Sequence, residues 1–220
     1  MAIQAILFDV YGTLLSVHSA VAREGKNLAQ ADAISRAWRQ KQLEYTWVWS
    51  LRGAYHSFRA LTEAALDHAL AARGVASPDL RARLLSAYER LDPFPEVAAT
   101  LAALRTKGVK LAALSNGDAD LLETGLASAG IRASLDAVLS VAPLGVYKPD
   151  RRVYELGRAW AGCTPADIGF VSANAWDAGG AAGFGFRTFW VNRTALPPEY
   201  EIDRHATIIA DLSALADALR

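Results

Sequence analysis

The sequence predicts an α/β protein: a doubly wound parallel sheet interrupted by an inserted, all-helical domain. Three observations carry that expectation. Short apolar runs closed by Gly, Pro, Asn or Asp fit strands buried on both faces, as parallel strands are. From Pro95 onward these runs alternate regularly with segments of helical period, the pattern of strand–helix–strand crossovers. Between the first run and Pro95 the strand character stops, and residues 17–91 read as helices alone.

The first run, Ile3, Ala5, Ile6, Leu7 and Phe8, is too short for a helix, and it hands over to Asp9 and a turn at Gly12. In the helical block, Ile34, Trp38, Tyr45 and Val48 recur at helical spacing, as do Leu61, Ala65, Leu66, Ala69 and Leu70. A third set, Leu80, Leu84, Ala87, Tyr88 and Leu91, follows Ser77-Pro78-Asp79, a helix start with proline in its first turn. Gly53, Gly74 and Asp92-Pro93-Phe94-Pro95 punctuate the block. Beyond it, helices are expected over 97–104, 121–129, 153–161, 177–182 and 212–219, and strands over 109–114, 137–141, 168–171, 187–191 and 207–209. The expected division is a core of residues 1–15 and 93–220 and a helical domain of residues 16–92.

Composition removes several function classes. Lys+Arg and Asp+Glu number 23 each, and no basic block occurs, so no nucleic-acid partner is expected. Cys163 is the single cysteine, which excludes an internal disulfide and fits a reducing compartment. No apolar stretch reaches transmembrane length, and the first eight residues lack the charged start of a signal peptide. A cytoplasmic protein without a membrane partner is expected. His18, His56, His68 and His205 show no paired zinc spacing. Gly183-Phe-Gly185 lacks the third glycine of a dinucleotide fingerprint.

The polar residues at strand ends form a pattern. Asp9, Ser115-Asn116, Lys148 and Ser172/Asn174/Asp177 each follow an expected strand, and in an open α/β sheet those ends share one ligand-binding edge. Singly they read as structural: Asp9 as a cap, Ser115-Asn116-Gly117-Asp118 as a turn plus helix N-cap, Lys148 as a solvated lysine. Four at successive strand ends read as one site.

Asp9-Val-Tyr-Gly-Thr-Leu14 after an N-terminal strand resembles the nucleophile motif of the haloacid dehalogenase (HAD) superfamily, and the later motifs follow in order over nearly the whole chain. The resemblance is closest to the L-2-haloacid dehalogenases. It implies a HAD-like doubly wound parallel sheet, a Rossmann-like core, with the helical insertion as a cap domain. By resemblance Asp9 is the nucleophilic carboxylate, Ser115 the second-motif hydroxyl and Lys148 the third-motif lysine. Phe170-Val-Ser-Ala-Asn-Ala-Trp-Asp177 is close to the fourth motif of the dehalogenases, with Ala173 where they usually have a second serine.

Two substitutions separate this chain from the phosphatases of the superfamily. Those carry a second Asp two residues after the nucleophile, where this chain has Tyr11, and a metal-holding Asp where it has Ala173. A departing alkoxide needs a proton donor and a departing halide does not. Mg²⁺ is held mainly by carboxylates. The expected reaction is therefore metal-independent and cofactor-free.

Trp38-Arg39-Gln40-Lys41-Gln42-Leu43-Glu44-Tyr45 resembles the cap helix of the dehalogenases. There the arginine matched by Arg39 faces the nucleophile and receives the halide, with Gln40 beside it. Leu43, Tyr11, Phe58 and Trp176 match residues lining the apolar side of the substrate pocket. Asn116 is a second candidate halide contact, and Tyr154 is expected to orient Lys148 or another site group. Ser115 and the amides near Val10 and Tyr11 would hold the substrate carboxylate. Thr13, Ser172 and Asn174 would support Asp9 and the water, Asp177 would activate that water, and Lys148 would balance the two carboxylates. The expected partners are a short 2-haloacid and its halide product, and the resemblance implies a homodimer, with Trp47 and Trp49 in packing or at a subunit surface. Two alternatives stay open on the sequence: a phosphohydrolase recruiting magnesium through other carboxylates, and a non-catalytic binding protein on the same fold.

Overall fold

The computed structural model describes residues 2–26, 28 and 30–218. Its sheet contains β1 (Ala5–Phe8), β2 (Lys110–Ser115), β3 (Ala137–Ser140), β4 (Ile168–Ser172), β5 (Arg187–Val191) and β6 (Ala206–Ile209). The order is β3-β2-β1-β4-β5-β6, and every neighbouring pair is parallel. β1 lies between β2 and β4, and all four of its residues are buried, which explains why its sequence is an unbroken apolar run. The chain passes from β1 to β2 and β3 on one side, then crosses to β4 on the other. The crevice at such a reversal opens at the carboxyl ends of the strands. Phe8 pairs with Ala113 and Val171, so Asp9, one residue on, stands at that crevice.

Between β1 and β2 run α1 (Ser19–Glu24), α2 (Ala31–Leu51), α3 (Phe58–Ala71), α4 (Pro78–Tyr88) and α5 (Val97–Thr106). α2 packs along α3, and α1 along α4. The buried stripe of α2 is Ile34, Ser35, Trp38, Gln42 and Thr46, a helical period that puts polar as well as apolar groups inside. α4 starts as its sequence implies: Pro78 sits in the first turn, and the Ser77 hydroxyl accepts from the Leu80 N–H at 3.3 Å. After β2 come α6 (Ala119–Ser128), α7 (Arg151–Ala161), α8 (Ala175–Phe184), the one-turn α9 (Ile202–His205) and α10 (Leu215–Ala218).

Helix ends shift by up to two residues from the sequence expectation, and the shifts that bear on the site or the chain end are these. α8 begins at Ala175 instead of 177, which puts Asp177 in its first turn, and it runs on to Phe184 despite Gly179, Gly180 and Gly183. Those glycines lower helix propensity, yet Gly180 admits a neighbour: a Cβ there would lie 2.8 Å from Pro149 Cβ and collide with the Tyr154 hydroxyl. The expected terminal helix is a 3-10 turn (Leu212–Ala214) followed by α10, and Leu219 lies outside the described residues. Lys148 does not follow β3 directly, since a 3-10 turn (Ala142–Leu144) intervenes. Among the described residues no helix is long and apolar enough to cross a membrane.

α7 is held against the sheet by a missing side chain. A Cβ on Gly157 would overlap the Leu7 side chain, itself fully buried in β1, and stand 3.1 Å from Leu114 Cδ2. Gly157→Ala gains up to about 1 kcal/mol of helix propensity but overpacks the core at a cost of about 1–3 kcal/mol. Urea denaturation should therefore give a lower midpoint for Gly157→Ala; an equal or higher midpoint would contradict this packing.

Candidate active site

Asp9 leaves the end of β1 almost fully buried, 5 % exposed, with its N–H donated to Val171 O at 2.9 Å. Its two carboxylate oxygens are treated unequally. Oδ2 accepts from Thr13 Oγ1 at 2.8 Å, Asn174 Nδ2 at 2.7 Å and Ser172 Oγ at 3.4 Å. Oδ1 accepts from Lys148 Nζ at 3.0 Å. The turn after β1 places Thr13: the N–H groups of Thr13, Leu14 and Leu15 all donate to Val10 O, and Gly12, at φ +93°, takes the left-handed bend. These bonds leave the Val10 and Tyr11 amides outside the turn's own set.

Lys148 Nζ also donates to Asp177 Oδ2 at 2.9 Å, and Tyr154 Oη donates to Asp177 Oδ1 at 2.9 Å. Lys148, Tyr154 and Asp177 have no solvent exposure. Burial works against the ammonium, but Asp177 and Asp9 outweigh it, so the Lys148 pKa is raised and the group stays charged. Burial pushes the Asp177 carboxyl up, Lys148 pulls it back, and the charge of Asp9 adds to the rise, leaving it at about 6. Burial raises the Tyr154 pKa, so it remains a phenol donor. The sequence reading placed Tyr154 on Lys148 or another group; the structure puts it on Asp177.

The remaining second-motif residues lie close by. Ser115 Oγ is buried and accepts from Gly117 N at 3.2 Å, which leaves its own proton to donate. Asn116 Oδ1 accepts from Lys148 N at 3.0 Å, leaving its NH₂ group for another partner. From α2, Arg39 Nη2 donates to Tyr11 O at 3.0 Å and Asn174 Oδ1 at 3.3 Å. The Tyr11 ring lies 5.0 Å from that of Phe58. Trp176, on α8, meets Trp47 edge-on at 5.4 Å. An apolar cleft of about 480 Å³ is lined by Trp47, Leu51, Trp176 and Tyr200. Among the described residues no three His, Cys, Asp or Glu side chains are grouped to hold a metal ion.

The family model of haloacid dehalogenase-like hydrolases matches residues 3–185. The chain belongs to this family. A relative within it, the (S)-2-haloacid dehalogenase of Pseudomonas sp. strain YL, is 48 % identical over 197 residues, covering 87 % of this chain and 84 % of its own. A crystal structure of a dehalogenase with an intermediate complex superposes with a TM-score of 0.96 at 42 % identity, covering 99 % of this chain and 97 % of the other. The L-2-haloacid dehalogenase of Xanthobacter autotrophicus with chloropropionic acid covalently bound superposes at 0.89 with 35 % identity, covering 99 % and 98 %.

Gln40, expected beside Arg39, is exposed, because one residue step turns it about 100° around the helix. The buried amide is Gln42, three residues from Arg39 and on its inner side, which accepts from Arg39 Nη1 at 2.8 Å. Leu43 is half-buried.

Three further residues, none of them read as part of the site, support it. The sequence reads Asp118 as the N-cap of α6, but its side chain makes no cap there. Its carboxylate accepts instead from the Phe58 and Arg59 N–H groups at 3.2 and 2.8 Å, the first turn of α3. Arg193, after β5, donates to Thr13 O at 2.9 Å and Gly12 O at 3.3 Å. Glu96 holds that guanidinium at 2.6 Å, and it stacks 3.8 Å over Phe94. A one-dimensional pattern offered only a weak signal for these contacts, since each joins segments far apart in the chain.

The Tyr154 hydrogen bond stabilises the charged form of Asp177. Titration followed by ¹³C NMR of labelled aspartate carboxyls should put the Asp177 midpoint near 6, and Tyr154→Phe should move it higher. A midpoint in the ordinary carboxylate range, or a downward shift in the variant, would contradict the arrangement.

Proposed function

We propose that this chain hydrolyses short L-2-haloalkanoic acids to D-2-hydroxy acids through an ester on Asp9. The observation that carries the reading is the asymmetry of Asp9. Oδ2 is fixed by three donors, while Oδ1, among the described residues, meets only Lys148 and keeps a lone pair for attack. Oδ1 forms a bond to C2 on the side opposite the halogen, the carbon–halogen pair leaves with the halide, and C2 inverts. In the ester Oδ2 becomes the carbonyl oxygen. Water then adds to the Asp9 carbonyl carbon, and the negative charge that develops on Oδ2 meets the donors of Thr13, Asn174 and Ser172, an oxyanion hole already in place. Asp177 takes one proton of that water and returns it to the hydroxy-acid oxygen as the bond between it and the carbonyl carbon breaks; the other proton, left on the regenerated Asp9 carboxyl group, passes to solvent.

The other groups have matching tasks. Ser115 and the Val10 and Tyr11 amides bind the substrate carboxylate. Lys148 balances Asp9 and Asp177. Arg39, with the Asn116 NH₂, receives the halide; a guanidinium is a weakly hydrated donor cluster suited to an anion in a dry pocket. Tyr11, Leu43, Phe58 and Trp176 form the apolar wall. Because Asp9 is 5 % exposed and Ser115 buried, we propose that residues 16–92 act as a cap that loosens from a core of residues 1–15 and 93–220 to admit substrate. The exposed Leu51 and Val48 of α2 support the homodimer implied by the sequence resemblance, and the single cysteine supports a cytoplasmic location.

Tyr11 and Ala173 stand where phosphatases of the family place carboxylates. Halide release from L-2-chloropropionate should be unchanged in excess EDTA; a loss restored by Mg²⁺ would contradict the metal-independent route. Arg39→Ala should lower turnover on the order of a hundredfold or more, the usual effect of removing a donor aimed at developing charge. Lys41, which pairs with Glu44 on the same helix, is the control: Lys41→Ala should leave turnover near normal. A folded Arg39→Ala enzyme of normal turnover would remove Arg39 from the mechanism.

A further inference from the structure

We infer that Gln42 is a positioning residue that sets the Arg39 guanidinium for the departing halide, a role that rests on the reading of Arg39 given above. Gln42 has no solvent exposure and is enclosed by α2, α3 and α4. Its orientation follows from a directional chain. The Thr62 hydroxyl spends its proton on Phe58 O at 2.7 Å, so toward Gln42 it can only accept. The group facing it, at 2.7 Å, must therefore be the Gln42 NH₂. That turns Gln42 Oε1 toward Arg39, whose Nη1 donates to it at 2.8 Å.

Tyr88 completes the lock. Its hydroxyl lies 3.0 Å from Gln42 Nε2 and 3.1 Å from Oε1. Its ring stacks on Tyr11 at 5.7 Å, and Tyr11 is two residues beyond Asp9. Arg39 is thus gripped at both ends of its fork: Nη1 by Gln42, Nη2 by Tyr11 O and Asn174 Oδ1. Asn174 in turn donates to Asp9. Without Gln42, the Nη1 half of the fork loses its fixed partner, and the guanidinium can swing about the contacts that Nη2 keeps. Preorganised donors stabilise a developing charge because they need not reorient when it forms. A small, charge-dense halide depends on them more than a large, diffuse one. Gln42 should therefore matter more for chloride than for iodide as leaving group.

The test compares single-turnover halide release and steady-state constants for L-2-chloropropionate and L-2-iodopropionate in Gln42→Met, Arg39→Ala and the double variant. We expect Gln42→Met to lower kcat for the chloro substrate at least tenfold with KM changed less than threefold, and to lower it several-fold less for the iodo substrate. Adding Gln42→Met to Arg39→Ala should cost nothing more, since Gln42 acts through Arg39. Equal losses for both halogens, or losses that multiply in the double variant, would overturn the inference and leave Gln42 a packing residue. If Arg39→Ala itself loses equally from both substrates, the Arg39 reading falls and this one with it; an Arg39→Ala loss that is halogen-selective beside a Gln42→Met loss that is not overturns this one alone. Should Gln42→Met fail to fold, the near-isosteric Gln42→Glu serves: it draws the guanidinium charge to itself and should show the same halogen-selective loss, and a halogen-independent loss there would equally overturn the inference.

Discussion

The ammonium of Lys148 lies between two carboxylates, 3.0 Å from Asp9 Oδ1 and 2.9 Å from Asp177 Oδ2, in a place water does not reach. Three charges buried together cost several kcal/mol each in lost hydration, and their mutual attraction offsets this only when the remaining lone pairs are also satisfied. Here they are. Thr13, Ser172 and Asn174 supply Asp9 Oδ2, and Tyr154 supplies Asp177 Oδ1. Burial and the charge of Asp9 raise the Asp177 pKa, and the Lys148 ammonium between the two carboxylates pulls it back. Much of the surrounding structure can be understood as what holds these three groups at hydrogen-bonding distance.

The sheet does the coarse positioning. β1 delivers Asp9 between β2 and β4, so that Ser115 ends one neighbour and Ser172 the other. α8 then turns Asp177 back over the crevice, and α7 brings Tyr154 up to it, across the gap that Gly180 leaves open. From the other side, α2 lowers Arg39 to within 3.0 Å of Tyr11 O. Asp118 ties the first turn of α3 to the end of β2, and Arg193 grips the carbonyls of the nucleophile turn. The helices between β1 and β2 thus meet the strand ends through both polar contacts and the Tyr11–Phe58–Tyr88 ring contacts.

The parts legible in the sequence are those with a local physical signature. A fully buried parallel strand must be apolar on both faces, so β1 was readable from Ile6, Leu7 and Phe8, and its polar exit at Asp9 marked the ligand edge. Helical periodicity revealed the inserted block, and turn residues bounded it. What could not be read are choices made in three dimensions. Asp118 has the sequence context of a cap for the helix it precedes, but the first turn of α3 competes for its carboxylate and wins. Gln40 and Gln42 are chemically identical and two residues apart. Only the facing of α2 decides that Gln42 enters the interior with Trp38 and Thr46 while Gln40 stays in water. Tyr154 is legible as a partner of Lys148 or another site group, but only the room left by Gly180 in another helix decides that it reaches Asp177. Lys148 is legible as a site group, but the 3-10 turn (Ala142–Leu144) between it and β3 is not.

The central claim is that Asp9 attacks carbon and is itself hydrolysed afterwards. The direct measurement is a single turnover, with enzyme in excess over L-2-chloropropionate in H₂¹⁸O, followed by mass spectrometry of the product and of the peptide containing Asp9. An ester intermediate predicts an unlabelled hydroxyl in the product and one ¹⁸O retained in that peptide. Heavy oxygen in the product hydroxyl with an unshifted peptide would mean that water attacks C2 directly, and would contradict the account.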